Sequence, residues 1–301
     1  MESYRSLRFV LVAVASIGSG WAVTTAADSV PRPSADQVVR CVGERVAAYY
    51  KRAQQLVCIE RSTTVPITQD WTPGFARVVE SDLRVELAAI DGDRMPEAQV
   101  TRHIRSVNGR EPRERDKKDR SGCTDPTPIS PEPLEFLLPG HRDEYRFTSV
   151  RDGHEGGRPA LVLDFASMER RGRPELIEDE YGHDDCFDWK GPMAIDGRLW
   201  VDPSTYDVLR LDRRVAGPTD VRVPDPIQRK YLFSQWLTLE RDDLTVRYKA
   251  IAFRNPDETV LLPASEESMT VFRTSLQSMR HNAVFTNYQR FLTDINSIKI
   301  K

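Results

Sequence analysis

GRLWVDPSTYDVLRLDRR, residues 197–214, is the stretch on which the fold class turns. Leu199 and Val201 share a face with Ile195 just upstream, Asp202-Pro203 begins a turn, and Leu209, Leu211 and Val215 return. The remaining positions form a ladder of charge. Apolar and charged side chains alternating at period two mark antiparallel strands whose sheet is wet on one side.

The same signature recurs on both sides. In SDLRVEL, Leu83, Val85 and Leu87 alternate with Asp82, Arg84 and Glu86. HIRSVNGREPRER centres on Asn108-Gly109, the pair that best tolerates the positive φ angles of a tight hairpin turn. YRFTSVRDGHEGGRPALVLDF repeats the idea around a glycine-rich turn and sets Leu161, Leu163 and Phe165 on one face. LVCIERSTTVPI, LTVRYKAIAF, the region from Val260 to Phe272 and AVFTNYQRF are further strands, rich in β-branched and aromatic residues.

One helix precedes them. Ser34 with Gln37 makes a capping-box start, and Val38, Val42, Val46, Tyr49 and Ala53 then recur at spacings of three and four residues, predicting a helix from Ser34 to Gln54. A helix in front of an antiparallel sheet, with no βαβ alternation, makes the fold class α+β, mostly β.

The first residues place Arg5 and Arg8 ahead of an apolar run from Phe9 to Val23 and the small residues Thr25-Ala26-Ala27. That order predicts a secretory signal peptide over residues 1–27 and a periplasmic or secreted mature chain over 28–301, read as one domain. The run of about 15 residues is short of the roughly 20 that span a bilayer, and Gly18 and Gly20 interrupt it. Without the leader, 43 basic and 46 acidic side chains become 41 and 45, a net charge of −4. That balance gives no reason to expect nucleic acid or an anionic membrane surface as partner.

All four cysteines, Cys41, Cys58, Cys123 and Cys186, fall in the exported part, where disulfides are favoured. Their spacings of 17, 65 and 63 residues fit no common zinc finger. The expected pairing is Cys41–Cys58, if a returning strand doubles back beside the helix, and Cys123–Cys186. The latter would tie down two long polar loops, around 110–133 and 167–192.

Chemistry is sparse. EDEYGHDDC surrounds His183 with carboxylates, among them Asp184 and Asp185, yet adjacent carboxylates on a loop fix no geometry, and a solvated acidic loop is the better reading. His103, His141, His154 and His281 are scattered singly, and Trp71, Trp189, Trp200 and Trp236 read as core or rim. There is no G-x-S-x-G elbow, and GHEGG sits in a hairpin rather than before a helix. No catalytic, metal or cofactor site is expected.

The order of pieces, from a helix running into VCIERS through SDLRVELAAIDGD, IRSVNGREPRERD, PEPLEFLLPGHRDEYRFTSV, RPALVLDF and GRLWVDPSTYDVLRLD to AVFTNYQRF, resembles a group of uncharacterised secreted bacterial proteins common in acidobacteria. In layout that group looks like the periplasmic lipoprotein carriers, the outer-membrane lipoprotein-sorting proteins. The resemblance implies an incomplete β-barrel with helical cover on its concave face. It carries over no ligand-contacting residue, since fold alone does not assign function.

Three readings remain open. A carrier or sensor would hold an acyl chain or other apolar ligand in a concavity marked by Leu83, Val85, Leu87, Leu161, Leu163, Phe165, Leu199 and Leu211. An envelope interaction module would contact another protein through sheet edges or the long loops. An enzyme has no motif in its support, and the expected function is non-enzymatic.

Overall fold

A computed structural model describes residues 33–52, 56–68, 70–87, 98–117, 132–168, 172–178, 187–254, 257–273 and 276–290. The expected leader, Cys123, His183, Asp184, Asp185 and Cys186 lie outside the described residues. Helix α1 spans Ala35–Arg52, and its first turn is capped as the sequence predicts: the Gln37 N–H donates to Ser34 Oγ at 3.2 Å. Its apolar stripe, Val38, Val39, Val42 and Val46, is buried.

The strands are β1 (Leu56–Ile67), β2 (Arg77–Leu87), β3 (Ala98–Val107), β4 (Tyr145–Glu155), β5 (Arg158–Ser167), β6 (Glu175–Glu178) and β7 (Phe187–Lys190), followed by β8 (Ile195–Val201), β9 (Val208–Val215), β10 (Thr219–Arg222), β11 (Trp236–Arg254), β12 (Asp257–Phe272) and β13 (Ser278–Arg290). Short helices α2 (Glu114–Lys117) and α3 (Asp225–Tyr231) and a 3-10 turn over Glu132–Leu137 complete the described elements that matter below. The strands form one open, unclosed sheet in the order β3-β2-β1-β13-β12-β11-β9-β8-β5-β4, to which β10, β6 and β7 attach as a side branch off β11. Every pairing is antiparallel except the short β10–β6 contact.

The opening hairpin forms β8 and β9, with Leu199 opposite Leu211 on the buried face. Its charged face is a network of paired side chains. Arg198 Nε and Arg151 reach the same Asp164 carboxylate at 2.6 Å each, Arg210 grips Asp212 with two bonds of 2.7 Å, and Arg214 meets Asp196 at 2.6 Å. The Arg210 guanidinium lies 4.4 Å from the Trp200 ring centroid. Gly197 is required by packing: a Cβ there would stand 2.1 Å from the Asp212 carbonyl oxygen and 2.5 Å from the Phe165 ring.

Asn108-Gly109 makes the expected tight turn, with φ of 49° and 74°, but no return strand follows it. The chain pairs for one residue, Val107 with Arg110, and then enters α2, where the Asp116 carboxylate holds Arg110 at 2.6 Å and accepts the Arg113 N–H at 2.8 Å. The second polar excursion contains two strands, β6 and β7. Leu176 there is 1% exposed and packs with Phe187, Trp189 and Val221. Four-residue strands inside acidic sequence are too short for a period-two pattern to be read.

The Cys41–Cys58 disulfide is not formed: both thiols are free. The strand does not double back beside the helix. β1 runs instead between β2 and β13, where Cys58 faces Leu83, Ala283 and Phe285, while the helix packs on β5, β8 and β9. Burial, with the negative charge of Glu60 adding to it, pushes the Cys58 thiol up to about 12. Among the described residues no helix is long and apolar enough to cross a membrane.

Candidate functional site on the buried face of the sheet

Cross-strand register decides which side chains share the buried face. Five of the eight expected cavity residues, Leu161, Leu163, Phe165, Leu199 and Leu211, come together in one cluster. α1 contributes Val38, Val42 and Val46 to it, and the 3-10 turn contributes Leu134, Phe136 and Leu137. The Phe136 ring stands 4.6 Å from Phe165 and 5.1 Å from Tyr145. The end of the proline-rich loop, PEPLEFLL, thus supplies core filler, and burying a side chain such as Phe136 is worth about 1.5–3 kcal/mol.

Leu83 and Val85 belong to a second cluster, with Cys58, Ala283 and Phe285. Leu87 ends β2 opposite Ala98, and its side chain lies outside the described ones. The seven positions whose side chains are described therefore fall into two clusters rather than one. They mark the two flanks of the face.

Between the flanks the same face is polar. Along β1 the inward positions run Leu56, Cys58, Glu60, Ser62 and Thr64, all buried, so the alternation continues while the chemistry changes. Glu60 is 0% exposed and takes two bonds from Arg102 of β3, at 2.6 and 3.2 Å. That geometry is the bidentate fork that makes a buried arginine–carboxylate pair tolerable.

Glu266 of β12 sits opposite Ala283 and Val246, and Ala283 in turn sits opposite Ser62. Its burial, with the nearby Glu60 carboxylate, pushes its pKa up to about 7 against the opposing pull of Arg213 and Arg102. One row further along, Arg213, Leu244, Ser268, His281 and Thr64 stand on successive strands β9, β11, β12, β13 and β1. His281 Nδ1 lies 3.2 Å from the Thr64 hydroxyl, and burial beside Arg102 lowers the imidazole to about 4, so it is neutral at physiological pH.

Two buried atoms here have no hydrogen-bond partner among the described residues, Ser81 Oγ and His281 Nε2. Each such atom costs about 1–3 kcal/mol. The site thus combines a neutral imidazole, a carboxylate that changes charge near neutrality, and an arginine, all bordered by apolar walls. It can bind and orient a ligand by charge and hydrogen bonds.

Of the singly placed histidines only His281 joins this face; His103 and His154 are exposed, and His141 lies 3.2 Å from Glu135. Trp200 is held against Arg210, Trp236 lies under Arg173 at 4.9 Å, and Trp71 is exposed. The polar row went unread in the sequence, although a signal existed: Glu60, Ser62 and Thr64 occupy the parity that Leu56 and Cys58 define as inward.

No family model matches the sequence, and no curated protein matches it, so the expected acidobacterial grouping finds no support. Solved structures follow a similar course loosely. A protein described as an outer membrane lipoprotein-sorting protein domain from Vibrio parahaemolyticus overlaps 86% of this chain and 94% of its own, at 10% identity and a TM-score of 0.33. The structure of the Pseudomonas aeruginosa MucA/MucB complex overlaps 83% of this chain and 98% of its own, and a structure of MucB 84% and 92%; both show 10% identity and a TM-score of 0.20. Likeness at this level assigns no function to the chain.

Proposed function

We propose that the chain is an exported, non-enzymatic binding protein of the bacterial envelope that holds a lipid or another apolar ligand against the inner face of its open sheet. The observation behind this reading is the nature of the cover. α1 and the 3-10 turn lie on the face through side chains, Val38, Val42, Val46 and Phe136 among them, and through the Arg45–Asp207 ion pair at 2.9 Å. Neither belongs to the hydrogen-bonded ladder, so the cover can part from the sheet without breaking a strand pairing. An apolar face beneath a separable cover suits an acyl chain.

A fluorescent fatty acid that brightens in apolar surroundings tests the reading. Saturable binding in the micromolar range, about −8 kcal/mol, is expected. Leu163→Arg would bury an unpaired charge at a position only 1% exposed and unfold the core, so the informative variant is Phe147→Arg at a half-buried position packed against the apolar cluster, which should weaken binding. Absence of saturable binding by a folded protein, as judged by circular dichroism, defeats the carrier reading.

A second reading, an envelope module that docks another protein, draws on the connection between β1 and β2. Phe75 is 99% and Trp71 58% exposed there. Exposed aromatics of this kind mark interaction surfaces. Capture of one envelope protein by the wild type and not by Phe75→Ser with Trp71→Ser would favour it.

A further inference from the structure

Six arginines of the outer face, Arg151, Arg198, Arg210, Arg214, Arg241 and Arg247, each meet a carboxylate. On the inner face Arg102 is committed to Glu60. Arg213 differs. It is half-buried, it stands one strand from Leu244 and two from Ser268, and among the described residues no carboxylate lies within ion-pair distance of it. Glu266, buried on the same face, feels the charge of Arg213 and accepts no hydrogen bond from a described side chain.

We propose that Arg213, Ser268 and Glu266 form a headgroup subsite that takes a single-chain amphiphile with an anionic oxygen headgroup, a carboxylate or a phosphate. The inference rests on the binding function proposed above and names the ligand class. The guanidinium fork matches a pair of anionic oxygens, the Ser268 hydroxyl donates beside it, and His281 Nε2, buried without a partner next in the row, adds a donor in the tautomer where Thr64 donates to Nδ1. Leu211, Leu244 and Val246 flank the subsite and lead the chain toward the apolar cluster.

Glu266 makes the subsite responsive to pH. The charged and titratable groups that face it are Glu60 from β1, Arg102 from β3, Arg213 from β9 and Tyr248 from β11, with the neutral His281 in the adjacent row on β13. Protonated, Glu266 donates to the headgroup; ionised, it repels the headgroup and competes for Arg213. Since it changes charge near pH 7, an anionic ligand binds about tenfold more weakly at pH 8 than at pH 6.

The test uses the mature chain and four alkyl probes of equal length, headed by a sulfonate, which stays charged throughout, a hydroxyl, a phosphate and a carboxylate. The sulfonate and phosphate probes should bind at pH 6 at least tenfold more tightly than the hydroxyl probe, and a carboxylate probe run beside the phosphate distinguishes the two natural headgroups. Glu266→Gln should flatten the pH dependence of sulfonate binding between pH 6 and pH 8, and a dependence as steep as in the wild type overturns the role given to Glu266. Arg213→Gln should reduce sulfonate binding to the level of the hydroxyl probe, and Arg213→Lys should restore part of it. Equal affinity for all heads, unchanged in Arg213→Gln, overturns the subsite and leaves apolar binding standing. Failure of every probe to bind folded protein overturns both proposals.

Discussion

The two halves of the buried face use one sheet for different purposes. Under α1, strands β5, β8 and β9 bury Leu161, Leu163, Phe165, Leu199 and Leu211 in one apolar cluster. On the other side, β1 and β2 bury Glu60, Ser62, Thr64 and Ser81 at the same inward parity. The first half gains stability from area removed from water and packing. The second depends on pairing: each polar group must find its partner or it costs more than an apolar residue would.

The difference is sharpest at Arg102. Truncation to alanine takes from the fully buried Glu60 the guanidinium that pairs with it, and is expected to cost between about 3 and 5 kcal/mol in urea unfolding. Replacing the pair together, Glu60→Leu with Arg102→Met, should recover most of that loss. A double variant as unstable as the single would show that the polar half does not depend on the pair. In the apolar half, Leu199→Ala should cost about 3 kcal/mol by leaving a cavity, with no dependence on pH.

Protonation separates the halves further. Glu266 holds its proton more tightly folded, about 7 against 4.5, so its contribution to stability falls as pH rises across that interval, by up to about 3 kcal/mol. His281 holds its proton less tightly folded, about 4 against 6.5, so its contribution rises with pH over that range. The two slopes oppose each other between pH 4.5 and 6.5. Glu266→Gln should therefore be more stable than wild type at pH 8, by as much as about 3 kcal/mol, with the gain vanishing near pH 4, and should expose the rising histidine limb. A constant gain at every pH would mean that Glu266 does not titrate in this window.

The smallest effect belongs to the outer face. Arg214 is 66% exposed, and removing its ion pair with Asp196 should cost less than about 1 kcal/mol, less again in high salt. A larger loss in thermal melting would show that the outer network acts cooperatively.

The sheet was legible where alternation ran long: β2, β5, β8 and β9 bury residues that the sequence marks as inward, Leu83 and Val85, Leu161, Leu163 and Phe165, Leu199, and Leu209 and Leu211. α1 was legible to within two residues at its end because Ser34 and the valine stripe agree. β6, β7 and β10 were hidden by brevity, and α3 by the single buried residue, Ile227, that anchors it. The polar row was hidden because a carboxylate at an inward position looks identical in sequence to one at an outward position after a slip of one residue. Only the register of β1 against β13 and β2 places Glu60 inside. The disulfide failed for a related reason, since residue heights along two elements say nothing about whether those elements are neighbours.

The place of β13 has a consequence for how the molecule is assembled. It lies between β1 and β12, so residues 56–67 find their second neighbour only in residues 278–290, more than two hundred positions later. Until that strand is made, the β1–β3 meander and the sheet that runs from β12 to β4 each keep an open edge at their future seam. Contacts of such long sequence separation are slow to form, because loop closure is paid before they reward it. β13 joins the two parts of the sheet, and a chain truncated before Ser278 holds two half-sheets with no strand to join them.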